Sequence, residues 1–217
     1  MNVHKIMKLL AETRPAFHSE ADFQHALAWK IREQRPSSQI RLEYPFLPRG
    51  RRRVHVDIWV REAQNEHFFE LKYKTRKLQL DDGEGYDLAD QSAQDCGRYD
   101  FCLDLQRLEH LTQQVRGSTG FAIFLTNDPS YWNPPRRDDT CDGDFRVYEG
   151  RTFSGSVPLK WAPRTAYGTK KGRTDRIRLT GTYRADWSDY SDVPTQDGGQ
   201  FGSFRYLVIE VPPRCER

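Results

Sequence analysis

An α/β fold with a mixed central sheet flanked by helices is predicted by three observations. Residues 54–60 and 67–73 alternate with a period of two, as strands with a buried face do. Helical periodicity runs through 19–34 and again through 91–115. Gly120-Phe121-Ala122-Ile123-Phe124-Leu125-Thr126-Asn127 is a continuous apolar run that suits a central strand, and because a long helix leads into it, it is expected to lie parallel to a neighbour.

In chain order, Met1 to Leu10 mixes Lys with apolar residues and has no signal-peptide core. Ser19 is placed to cap a helix reaching about Gln34, with Asp22 at the capping-box position and Phe23, Ala26, Leu27 and Ile31 as its buried stripe. Arg35-Pro36-Ser37-Ser38 ends it, and Gln39 to Phe46 reads as a strand. In Val54 to Val60 the aliphatic residues Val54, Val56, Ile58 and Val60 share one face, opposite His55, Asp57 and Trp59. A short polar connection leads to His67 to Tyr73, where Phe69, Leu71 and Tyr73 oppose Phe68, Glu70 and Lys72. Gln79 to Asp90 is an acidic loop. The helix from about Gln91 to Val115 carries Gln94, Arg98, Phe101, Leu105, Leu108 and Val115 on one face, polar at its start. After a loop-like stretch from Asp128 to Gly150, strands are expected at Val157 to Trp161, Ile177 to Tyr183 and Phe204 to Val211, while Asp186 to Asp192 reads as an acidic aromatic connector. The chain is thus expected to be one domain over 1–217, with a core at 17–127 and a β-rich C-terminal extension at 128–217 packed on it.

With 217 residues and 25.5 kDa, one sizeable core is the default. A formal net charge of +3 does not by itself mark a nucleic-acid binder. Local clusters matter more: Arg49, Arg51, Arg52 and Arg53 before one strand, Lys72, Lys74, Arg76 and Lys77 leaving the next, and Lys170, Lys171, Arg173, Arg176 and Arg178 in a later loop. Cys96, Cys102, Cys141 and Cys215 lack metal-ligand spacing and read as reduced thiols of a cytoplasmic protein without a membrane span.

Asp57, Glu70 and Lys72 converge if the two site strands pair antiparallel. Glu70 and Lys72 stand inside a strongly apolar strand, where charge is expensive unless it pairs or binds a metal. Two carboxylates beside an ammonium suit a hard divalent cation such as Mg²⁺ or Mn²⁺. Glu20, at the amino-terminal end of the inward helical stripe, either complements the helix dipole or reaches the same patch.

The order helix with Glu20, strand, strand with Asp57, strand with Glu70-Leu71-Lys72, long helix and buried strand resembles the PD-(D/E)XK nuclease superfamily, the restriction-endonuclease-like fold, over residues 17–127. Val56 stands before Asp57 where many members have Pro. The resemblance implies a Mg²⁺-dependent phosphodiesterase acting on nucleic acid, with DNA favoured. Asp57, Glu70 and Glu20 would hold the metal, Lys72 would assist the attacking water, and Gln94, with Arg98 and Tyr99, would lie near the scissile phosphate. Arg51, Arg52, Arg53, Lys74, Arg76, Lys77, Arg98, Lys170, Lys171 and Arg173 are the expected nucleic-acid contacts, the loop from Arg164 to Arg178 adding Tyr167 for stacking. The competing reading is a non-catalytic binding or interaction module on the same fold. A homodimer or a partner subunit is left open.

Overall fold

Asn2 accepts the Lys5 amide to open helix α1 (Val3–Ala11), and Ser19 accepts the Asp22 amide to open α2 (Glu20–Gln34), the cap expected from the sequence. The computed structural model describes residues 1–46, 53–80, 85–137, 139–195 and 200–213; Arg49, Arg51, Arg52 and Cys215 lie outside the described residues. Three antiparallel strands follow α2: β1 (Gln39–Phe46), β2 (Val54–Glu62) and β3 (Asn65–Lys74). The acidic segment is a small hairpin of β4 (Leu78–Leu80) and β5 (Tyr86–Leu88). Helix α3 (Gln94–Gln114) then leads to β6 (Ser118–Thr126), which pairs parallel to β3 over its whole length.

The expected extension divides in two. Residues 128–185 cover α3 with a 3-10 turn at Gly143–Phe145, the pair β7 (Thr152–Ser154) and β8 (Thr182–Arg184), and the short helix α4 (Tyr167–Lys170). The strands β9 (Trp187–Asp192) and β10 (Ser203–Val211) return to the central sheet, whose order is β1-β2-β3-β6-β10-β9. That sheet is mixed, antiparallel except between β3 and β6. One core lies between it and α1 and α2, built on Phe17, Phe23, Leu27, Ile31, Phe69, Leu71 and Phe121. A second joins its other face to α3 and residues 141–185, built on Phe68, Phe101, Leu105, Phe124, Phe145, Trp161 and Trp187. No described helix is long and apolar enough to cross a membrane.

Three expectations are corrected. The strands expected at Val157 to Trp161 and Ile177 to Tyr183 shrink to a single Leu159–Ile177 bridge and the short β8. Pro158 has no amide to give a ladder, and Leu159, Trp161, Ile177 and Leu179 are buried against α3 instead. The connector at Asp186 to Asp192 is an edge strand, with Trp187 and Tyr190 alternating into the two cores. Finally, the aliphatic residues of β2 do not share a face: Ile58 and Val60 pack toward α1 and α2, but Val56 packs with Trp59 on the α3 side. The alternation slips at Asp57, where β2 and β3 part.

Candidate functional site

The β2–β3 ladder ends at the Ile58–Phe69 pair. Beyond it, the Asp57 side chain does what a strand carbonyl would have done, accepting the Leu71 amide through Oδ2 at 2.6 Å. Opposite, Glu43 on β1 has φ +48°, a backbone state costly for a non-glycine residue. Gln24 of α2, 7 % exposed, bridges the distortion by donating to the Asp57 carbonyl at 2.7 Å and to Glu43 Oε1 at 2.8 Å. One turn earlier on α2, Glu20 Oε2 accepts the Tyr73 amide at 2.8 Å. The carboxylates of Asp57 and Glu20 thus each hold a main-chain amide of β3.

Glu70 and Lys72 point to the opposite face of β3 from Leu71 and Tyr73, as the period of two requires. There they meet α3. Lys72 Nζ lies 2.6 Å from Asp104 Oδ2 and donates to the Leu71 carbonyl at 3.0 Å. Arg107 Nη1 donates to Asp104 Oδ1 at 2.8 Å, while Nη2 donates to the His55 carbonyl at 2.7 Å and stands 3.1 Å from Glu70 Oε1. That last contact has the distance of an ion pair but not the angle of a hydrogen bond, so Oε1 is buried with no hydrogen-bond partner.

Asp57, Glu70, Asp104 and Glu20 act on one another and on Lys72 and Arg107, four carboxylates against two cations. Burial, aided by repulsion from Asp104 and Glu20 and opposed by the Leu71 amide and Lys72, pushes the Asp57 carboxyl up to about 6. Burial and then the Asp104 charge raise Glu70 well above the usual carboxylate range, with Arg107 opposing. Burial alone would lower Lys72, but Asp104, Glu20 and Asp57 outweigh it and hold the ammonium above the usual lysine range.

A raised carboxyl pKa favours the protonated form in the folded chain, which therefore binds more protons than the unfolded chain between about pH 4 and pH 6. The metal-free protein should lose stability as pH rises through that window, by roughly 2–3 kcal/mol from Asp57 alone. Asp57→Asn lacks this titration. Urea unfolding should therefore show the variant gaining that amount on the parent between pH 4 and pH 7, and an equal offset at both pH values would refute the burial assignment.

Among the described residues, no group of three or more His, Cys, Asp or Glu side chains is arranged to hold a metal ion. Glu20 is engaged with the Tyr73 amide, and so does not complete such a group. The hard oxygens of Asp57 and Glu70 nevertheless fit Mg²⁺, which is commonly held by only one or two carboxylates plus water. The orphaned Glu70 oxygen, in a patch of four carboxyl groups against two cations, is what such a cation would satisfy.

The remaining expected residues scatter. Gln94 opens α3 and donates to Asp128 Oδ2 at 3.0 Å. Arg98 is only 4 % exposed, bound to Asp142 at 2.6 Å and to the Ser130 carbonyl, which makes it a structural ion pair and not a surface contact. The helix residues that do meet Glu70 and Lys72, Asp104 and Arg107, lie about 15 Å or more further along the axis from Gln94. His55 lends only its carbonyl, and His67 packs beside Phe121, its pKa lowered by burial. Arg53 and Lys77 are exposed and Lys74 is half-buried, whereas Arg76 is held by Asp90 over the Phe201 ring and Arg173 by Asp100. Lys171 and Tyr167 are exposed, and Lys170 ends α4 half-buried. The loop carrying them lies along α3, with Tyr99 donating to the Asp175 carbonyl and Gln106 to that of Arg178.

Comparison with protein-family models, with curated proteins and with solved structures returned no match to this chain.

Proposed function

We propose that the protein is a Mg²⁺-dependent nuclease on a restriction-endonuclease-like core, hydrolysing phosphodiester bonds of nucleic acid, with DNA the favoured substrate. The observation that carries this reading is the parting of β2 and β3 at Asp57. It sets the Asp57 carboxylate on the Leu71 amide, the main-chain group between Glu70 and Lys72, in a patch of four carboxyl groups against two cations. Asp57 and Glu70 would hold the ion, which would supply a water of lowered pKa and charge stabilisation for the transition state. Lys72 remains an ammonium under the influence of Asp104, so it serves by donating to the water or to a non-bridging oxygen and not by taking a proton. Asp104 keeps it there. Arg53, Lys171, Arg176 and Arg178, all exposed, would steer the polyanion toward the patch.

A second reading, a nucleic-acid-binding module with no chemistry, is favoured by one observation: Arg107 already neutralises Glu70. Titration with Mn²⁺ by calorimetry, paired with cleavage assays on DNA and RNA with and without a chelator, separates the two. The nuclease reading expects saturable Mn²⁺ binding and chelator-sensitive cleavage. Nucleic-acid binding with neither metal uptake nor cleavage would give the site to the module.

A further inference from the structure

Within the charged patch the side chains differ in depth. Glu70 is 2 % exposed and Asp104 6 %, Lys72 16 %, and Arg107 30 %, so Arg107 runs from the buried carboxylate out to solvent. It is tied at both ends to acceptors on different elements: Asp104 on its own helix, and the His55 carbonyl near the start of β2, two residues after the exposed Arg53. Its contact with Glu70 lacks hydrogen-bond geometry, although a guanidinium can give carboxylate or phosphate two parallel bonds. The pairing with Glu70 is therefore electrostatic, replaceable by any cation that reaches the same oxygen.

Resting on the nuclease reading above, we propose that Arg107 is a catalytic residue with two alternating anionic partners. Without metal it is the counter-cation of Glu70. When a divalent cation takes the Glu70 carboxylate, the guanidinium is released toward solvent, where it binds the phosphate of the incoming phosphodiester. The metal and the substrate thus succeed one another on groups that neutralise each other at rest, and metal binding prepares the substrate contact. Asp104 and the His55 carbonyl limit the swing, because each accepts from a separate nitrogen of the same planar fork.

Two affinities are measured on the full chain. Arg107→Ala should bind Mn²⁺ about tenfold or more tighter than the parent in calorimetry, since it removes the competing cation. With Ca²⁺ in place of Mg²⁺ to suppress cleavage, the same variant should bind a DNA fragment about 10- to 100-fold more weakly, the loss expected for a charge-assisted phosphate contact. Lys8→Ala, which removes an exposed charge on α1, should move neither value. Arg107→Gln retains an amide donor for the His55 carbonyl and gives the same two readouts should the alanine variant fold poorly. A parent that binds Mn²⁺ and a variant that binds it no tighter, or an unchanged DNA affinity, would make Arg107 a structural tie between α3 and the strands and leave the nuclease reading standing. Absence of Mn²⁺ binding from both proteins would overturn the exchange and the nuclease reading together.

Discussion

Glu70→Gln is expected, on the nuclease proposed above, to lower Mg²⁺-dependent phosphodiester cleavage on the order of 10³-fold or more while leaving the protein at least as stable as the parent. The amide is isosteric, so no cavity opens between β3 and α3. What goes is a carboxyl that the interior tolerates poorly as a charge: Glu70 is buried, and its carboxyl is raised by burial and by Asp104. Arg107 keeps Asp104 and the His55 carbonyl as acceptors, so it is not stranded. Stability and activity should therefore move apart, the signature of a functional group in a strained setting. Initial cleavage rates at saturating Mg²⁺ and urea midpoints on the same preparations measure both. A variant that cuts as fast as the parent would remove Glu70 from the site, and one that unfolds would make it structural.

The largest effect on stability is expected away from that patch, at Glu109. This carboxylate is 2 % exposed and accepts from the Thr180 amide at 2.8 and 2.9 Å, the Gly181 amide at 2.7 Å and the Tyr183 hydroxyl at 2.7 Å. It is the point at which residues 180–183 are fastened to α3. A Cβ at 181 would stand 2.5 Å from the Tyr183 hydroxyl oxygen, so any larger residue there would push that ring off Glu109. Glu109→Ala leaves two amides and a hydroxyl without their acceptor and should cost about 3–5 kcal/mol. Glu109→Gln keeps one acceptor oxygen and should cost less. Urea unfolding of both, with Tyr183→Phe to close a double-mutant cycle, checks the size and the coupling; a loss below about 1 kcal/mol for the alanine variant would mean that water replaces the carboxylate.

Much of this arrangement is legible before any coordinates. The Ser19 cap, the bounds of β1 and the alternation that turns Glu70 and Lys72 away from Leu71 all rest on local rules, and the structure follows them. Three features escape those rules for physical reasons. The slip at Asp57 replaces a backbone acceptor with a side chain, which leaves no trace in the pattern of apolar residues. Strand β9 is polar between its aromatics because it lies at the sheet edge. Asp104 and Arg107, three residues apart on a helix, look like a solvated surface pair; only β3 and the start of β2, remote in sequence, bury that side of α3. One signal for Asp104 is present. It sits between Leu103 and Leu105 after Phe101 and Cys102, a charge inside an apolar run, the same setting that draws attention to Glu70.

The placement of β10 and β9 has a consequence for how the chain reaches this state. β6 is sandwiched between β3 and β10, so half of its hydrogen-bonding edge waits for residues 203–211, some 80 positions later. The closing contacts span still more chain: Tyr190 donates to the Arg14 carbonyl and Ser191 to that of Pro15, across 176 residues, and His4 meets Tyr206 across 202. Such long-range closure makes folding slow relative to a helical protein of equal size, and it keeps the apolar strand Gly120 to Thr126 unpaired on one side until the last strand arrives. A nascent chain stalled before residue 203 would present that edge to any other strand, so the period in which this protein is most prone to aggregate is set by the sheet order and not by the charge of its surface.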